Sequence, residues 1–158
     1  MSDSSHTSVG SIYHHFGDKE GIAAALYVAA LEDYQRGLQQ LLAEGSDPEP
    51  TIKALVRYHL RWVAADRDRA LFLLSGAPPR AAAGIADVNR DALRVTSRWL
   101  AGHVRAGRLQ DVPFDLFFSV LIGPAQEFSR HWLKGRTHTS MRVAERDLGA
   151  AAWRALAP

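Results

Sequence analysis

Apolar residues recur every three or four positions along almost the whole chain, and no stretch alternates apolar and polar residues between turn signals. That periodicity confines the chain to helices. The clearest case is Ile52, Leu55, Val56, His59, Leu60 and Val63, which fall on one helical face opened by Asp47-Pro48. Before it, Asp18 predicts the N-cap of a long helix over Lys19–Glu44, with Leu26, Ala30, Tyr34, Leu38, Leu41 and Leu42 inward and Gly45 as a helix-terminating glycine. Asp66–Arg69 reads as a corner without an apolar anchor, followed by a short apolar helix over Ala70–Leu74. Pro78-Pro79 removes two donors and predicts a loop.

Beyond that loop, Ile85, Val88, Ala92, Val95, Trp99 and His103 mark another helical face, closed by Gly107. Leu116, Phe117, Val120 and Leu121 lead into Gly123-Pro124, which kinks or splits a helix that resumes with Phe128 and Trp132 and ends at Gly135. Ser140 predicts the cap of a last helix, with Val143, Leu148, Ala151, Ala152 and Leu156 on its apolar side and Gly149–Ala152 permitting close approach. The fold class expected is all-α.

With 158 residues, 47% of them hydrophobic, the chain can bury a sizeable core without covalent staples. The absence of cysteine excludes disulfides, thiolate metal sites and a cysteine nucleophile, and fits a reducing compartment. No apolar run approaches the roughly 18 residues of a membrane span, and Met1–Thr7 is polar, so a cytoplasmic protein with no membrane partner is expected. Residues 1–50 carry two basic against eight acidic side chains, whereas residues 51–158 carry seventeen against nine. The basic excess is spread among helices and by itself does not argue for DNA. Arg90, Arg94 and Arg98, four apart with Asp87 and Asp91 nearby, read as a solvated helix face.

Nothing in the sequence proposes catalysis: there is no nucleophile elbow, phosphate loop, zinc motif or paired-carboxylate arrangement. His14-His15 are helix neighbours about 100° apart and make no chelating pair, so no metal and no cofactor are expected. His59 and His103 read first as hydrogen-bonded histidines of the core or its rim, and second as ligand contacts. The aromatic set Tyr58, Trp62, Phe72, Trp99, Phe117, Phe118 and Phe128 is core by spacing, with some members able to line an apolar cavity.

The unusual segment is Thr7–Ile22. Ser8 can cap a very short helix, Ile12 and Phe16 anchor it inward one turn apart, and Gly17-Asp18 turns the chain before the long helix. Val9, Ser11, Tyr13 and His14 are left outward, with Gly10 allowing close backbone approach, an arrangement suited to a duplex groove. The run Ser8-Val9-Gly10-Ser11-Ile12-Tyr13-His14-His15-Phe16, followed by Lys19-Glu20, resembles the end of the helix-turn-helix of the TetR family of bacterial transcriptional regulators. The later helices, with the Gly123-Pro124 break and Trp132-Leu133-Lys134-Gly135, are similar to that family's ligand-binding and dimerisation domain.

The resemblance implies DNA contacts from Ser8, Val9, Gly10, Ser11, Tyr13, His14 and Lys19, with Tyr13 and Lys19 on phosphate. It implies a partial helix-turn-helix and connecting helix over residues 1–44 and an effector and dimerisation domain over residues 45–158. Against the family's three DNA-binding helices the first is missing and the second survives at most as Met1–Ser5, with His6 where a turn glycine is usual, so the unit is shortened or the start lies inside a longer reading frame. Within the effector domain, His59, Trp62, Trp99, His103, Phe117 and Phe128 are the candidate pocket residues. Residues 114–134 and 140–157 are the candidate homodimer interface. The function implied is a repressor released from operator DNA by a small-molecule effector. The alternative is a dimeric helical small-molecule-binding protein without DNA binding of its own.

Overall fold

A computed structural model describes residues 17–158. Four helices begin where the sequence supplies a side-chain oxygen for amides that lack an intrahelical partner. Asp18 accepts from the Gly21 amide at 2.8 Å and opens α1, Lys19–Glu44. Asp47 accepts from the Glu49 amide at 3.4 Å before α2, Pro48–Ala65, whose first residue is a proline with no amide to satisfy. Asp66 accepts from Arg69 at 3.0 Å before α3, Arg67–Leu74. A 3-10 turn, Pro79–Ala81, leads into α4, Ala82–Arg105. Then follow α5, Phe114–Leu121, and α6, Gly123–Leu133. Ser140 caps α7, Met141–Leu156, by accepting from Val143 at 3.3 Å. The described residues contain no strand.

Three local expectations change, at Asp66, Leu26 and Val143. Asp66 is a cap, so α3 starts at Arg67 instead of Ala70. Gly45 ends α1 as expected, in an extended conformation, φ −83° and ψ 103°. Glycine is required there because a Cβ would collide with the Thr51 side chain. Leu26 is 59% exposed. It stands twelve residues before Leu38, and at about 100° per residue the two point about 120° apart, so the inward stripe runs through Ala24, Tyr27 and Ala30 instead. By contrast, Gly107 and Gly135 do adopt φ 68° and 66°, and the amides that follow them return to the His103 and His131 carbonyls at 2.9 Å.

The main core is built by α2, whose Ile52, Leu55, Val56 and Leu60 are buried with Leu38 and Leu42 of α1, Phe117 and Leu121 of α5, and Leu156 of α7. α2 packs most extensively on α7, where Ala144, Gly149 and Ala152 are buried, and α1 packs along α4. At Gly37 the α1 backbone lies against the Tyr58 ring of α2, which occupies the space a side chain would need. Arg80 of the 3-10 turn pairs with Asp18 and Glu20, tying that turn to the start of α1. Val143, expected inward, is 36% exposed because the α2-facing side of α7 is already taken by small residues. Pro124 lies in the first turn of α6, where its missing amide costs no hydrogen bond, so α5 and α6 meet at Ile122. No helix among the described residues is long and apolar enough to cross a membrane.

Candidate functional site

Between α1, α2, α3 and the α5–α6 junction lies a cavity of about 440 Å³, open to solvent. α1 gives it Tyr27, Leu31, Tyr34, Gln35 and Leu38, a stripe with the spacing of one helical face. α2 gives His59, Trp62 and Val63, and α3 closes one side with Leu73 and Leu74. The α5–α6 junction supplies Phe118, Ser119, Ile122, Gly123 and Gln126. The split at Gly123-Pro124 keeps Phe118, Ile122 and Gln126 in register along one wall, since the Ile122 amide donates to Phe118 and the Gln126 amide to Ile122 at 2.9 and 2.8 Å. Among the described residues that line it, none is Asp, Glu, Lys or Arg.

Behind the wall runs a chain of polar groups whose hydrogens can be assigned by elimination. The Ser129 hydroxyl donates to the Ala125 carbonyl at 2.7 Å and so presents only lone pairs to His59 Nε2, 3.3 Å away. His59 therefore carries its proton on Nε2 and donates it to Ser129. That leaves Nδ1 as an acceptor for the Tyr34 hydroxyl at 2.7 Å. Burial lowers the His59 pKa from 6.5 to about 4, keeping the ring neutral near pH 7. Burial of the Tyr34 phenol raises its pKa, so it too is uncharged. Both nitrogens of His59 are engaged, so it meets the cavity as a ring and not as a ligand-binding base.

Trp62 is fixed in the same way from its outer side. Its Nε1 donates to Asp33 Oδ2 at 3.0 Å, the same oxygen accepts from Arg69 at 3.1 Å, and the Arg69 guanidinium lies 4.3 Å over the indole. Tyr58 donates to the Tyr34 carbonyl at 3.0 Å, binding α2 to α1 beside the relay.

Of the six expected pocket residues, His59 and Trp62 lie on this wall and four do not. Phe117 is wholly buried in the main core, and Phe128 packs against that core. Trp99 donates Nε1 to the Gly45 carbonyl at 3.0 Å and stacks on His103, 4.5 Å between ring centroids. These two lie on α4, whose face is occupied by its packing on the main core and the α1–α2 connection. Partial burial, then the Arg108 charge, lowers the His103 pKa. The sequence reading passed over Tyr27, Leu31, Gln35 and Gln126. Their signal was the spacing of Tyr27, Leu31, Tyr34 and Leu38, interrupted by an uncharged glutamine beside an apolar face.

Lys19, expected on DNA phosphate, is the exposed first residue of α1. Ser8, Val9, Gly10, Ser11, Tyr13 and His14 lie outside the described residues. Arg90 and Arg94 pair with Asp87 and Asp91 at 3.1 and 3.4 Å on an exposed face of α4, a solvated arrangement. No cluster of three potential metal ligands occurs among the described residues.

No family model matches the sequence, and neither does any curated protein. Solved structures do match. A protein of unknown function from Rhodococcus sp. RHA1 superimposes with a TM-score of 0.78 at 17% identity, over 97% of this chain and 80% of that one. A TetR/AcrR-family transcriptional regulator from Thermobifida fusca gives 0.70 at 21% identity, over 92% and 78%. The regulator FadR from Bacillus subtilis, solved in complex with stearoyl-CoA, gives 0.73 at 15% identity, over 92% and 80%. With no strand among its described residues and these superpositions, the chain has the all-helical, TetR-like fold.

Proposed function

We propose that this chain is a TetR-type transcriptional regulator: a cytoplasmic homodimer that holds operator DNA through residues 1–44 and releases it when a small molecule enters the cavity of residues 45–158 and α1, acting as a repressor. The observation that carries this reading is the course of α1. The helix starts at Lys19, capped by Asp18 two residues after the Ser8–Phe16 motif, and continues into the cavity wall at Tyr27, Leu31 and Tyr34. An occupant that shifts α1 therefore moves the segment bearing the motif. Arg80 adds a second link, because it grips Asp18 and Glu20 from the turn that follows α3, another wall of the cavity.

In this reading Ser8, Val9, Gly10, Ser11 and His14 face the groove, while Tyr13 and Lys19 hold phosphate. Two copies pair through residues 114–134 and 140–157, where Leu116 at 50% and Val143 at 36% expose apolar side chains. Neither catalysis nor a cofactor is part of the proposal.

The test is fluorescence anisotropy on DNA from upstream of the protein's own gene, against scrambled DNA of the same length. Tighter binding to the upstream DNA is expected, with Lys19→Ala weakening it and lowering the salt slope by about 1. Equal affinity for both DNAs would overturn operator binding. The acidic balance of residues 1–50 favours one second reading, a dimeric small-molecule-binding protein without operator recognition. Ligand binding and a dimer in sedimentation, with no DNA preference, would select it.

A further inference from the structure

Resting on the reading of the cavity as the effector site, we infer that its effector is an uncharged molecule with a flat aromatic body and a primary-amide-like polar group, and that carboxylates and acyl-CoA-type anions are rejected. The first ground is that the described lining residues supply no counter-ion. Among the described residues no lining side chain is charged, and on the outer side of Trp62 Asp33 accepts from both the indole and Arg69, whose Nε is buried without a hydrogen-bond partner among those residues. His59 is neutral with both nitrogens engaged. An ion entering this wall would lose water and gain no partner.

The second ground is the chemistry of the wall. Tyr27 and Tyr34 of α1, Trp62 of α2 and Phe118 of α5 present aromatic rings from three helices, and Tyr34 and Trp62 meet edge to face at 5.2 Å. Such a wall favours a flat aromatic occupant over a flexible acyl chain. Its polar groups are amide and hydroxyl. Gln126 and Ser119 make no side-chain hydrogen bond to another described residue, and Gln35 reaches only Asn89 at 3.4 Å. Each glutamine offers a donor and an acceptor, whereas Tyr34, its hydrogen given to His59, can only accept. A primary amide, with two N–H donors and one carbonyl, complements that set.

The third ground is size. The cavity of about 440 Å³ is open to solvent and lies within the roughly 300–1,000 Å³ of small-molecule sites, room for a two-ring molecule. A biphenyl carrying one amide matches this. A long-chain acyl-CoA would have to leave its phosphates outside, among side chains that supply no charge at the wall.

Calorimetric titration of the full chain with biphenyl-4-carboxamide, biphenyl-4-carboxylate and stearoyl-CoA tests the inference. The amide is expected to bind at least about tenfold tighter than the shape-matched carboxylate, a difference of one good hydrogen-bonded group. Gln126→Leu should weaken the amide about tenfold, and filling the cavity with Leu31→Trp should abolish binding. If Leu31→Trp does not fold, Ser119→Phe fills the same space from α5. Tighter binding of the carboxylate or of stearoyl-CoA, lost in the filled variant, would overturn the ligand class and leave the effector cavity standing. Failure of all three probes to bind, or binding unchanged by filling, would overturn both.

Discussion

The two halves of α2 show how one helix can serve opposite ends. Its first half, through Ile52, Leu55 and Val56, is buried among aliphatic and aromatic side chains of α1, α5 and α7 with almost no exposed area. Its second half carries His59 and Trp62, equally buried, yet every polar atom there is matched to a partner on α1 or α6. The first half is close-packed and resists any change of volume. The second borders an open cavity, and its geometry is set by directional hydrogen bonds instead of by filling. One helix thus combines a stretch fixed by close packing with a stretch fixed by directional bonds beside an open cavity. Both halves hold the fold together, since Leu60 and Val63 of the second are buried as well, but only the second faces an occupant through His59 and Trp62.

Truncation in the dry half should have the largest effect. Phe117→Ala removes a ring with no exposed surface, and a loss of about 3–5 kcal/mol in urea unfolding is expected. A loss under about 1 kcal/mol would mean that the core collapses around the gap and that the two halves are not distinct.

Acid should strike the polar half. The folded His59 has a pKa of about 4 against an ordinary 6.5, so below pH 6.5 the unfolded chain takes up a proton that the folded chain refuses. Stability attributable to His59 should be complete above pH 6.5, fall as pH drops towards 4, and level off below, amounting to about 3 kcal/mol. The check is the difference between wild type and His59→Gln across that window, where other groups cancel. A flat difference would show that His59 is solvated in the folded protein.

A smaller change is expected from Tyr34→Phe, which leaves His59 Nδ1 without its donor and should cost about 1–2 kcal/mol at neutral pH. No change in midpoint by thermal melting would indicate that water replaces the phenol, a wetter wall than the relay implies. The smallest effect belongs to neither half: Arg90→Ala, on the exposed face of α4, should shift stability by less than about 0.5 kcal/mol at physiological salt. A larger shift would make that face a structural contact.

Much of the architecture was legible in the sequence because local chemistry carries it. Asp18, Asp47 and Ser140 cap the helices they were expected to cap, Gly107 and Gly135 terminate theirs, and Gly123-Pro124 separates α5 from α6. Each depends on atoms within four residues, so spacing is sufficient to find it. The candidate pocket was legible only in part. His59 and Trp62 stand on a strongly patterned face, but Trp99, His103, Phe117 and Phe128 share that pattern and pack away from the cavity.

Helical class, most helix starts and stops, and the motif that precedes α1 follow from local chemistry alone, with the start of α3 as the exception. Which apolar faces close on one another and which line the cavity is settled only when the helices pack. Helical periodicity reports that a side chain turns inward, and an inward ring looks the same in sequence whether it meets another helix or empty space. Gln35 and Gln126 illustrate the limit: as residues they are ordinary polar helix formers, and only the meeting of α1 with the α5–α6 junction places both at one cavity.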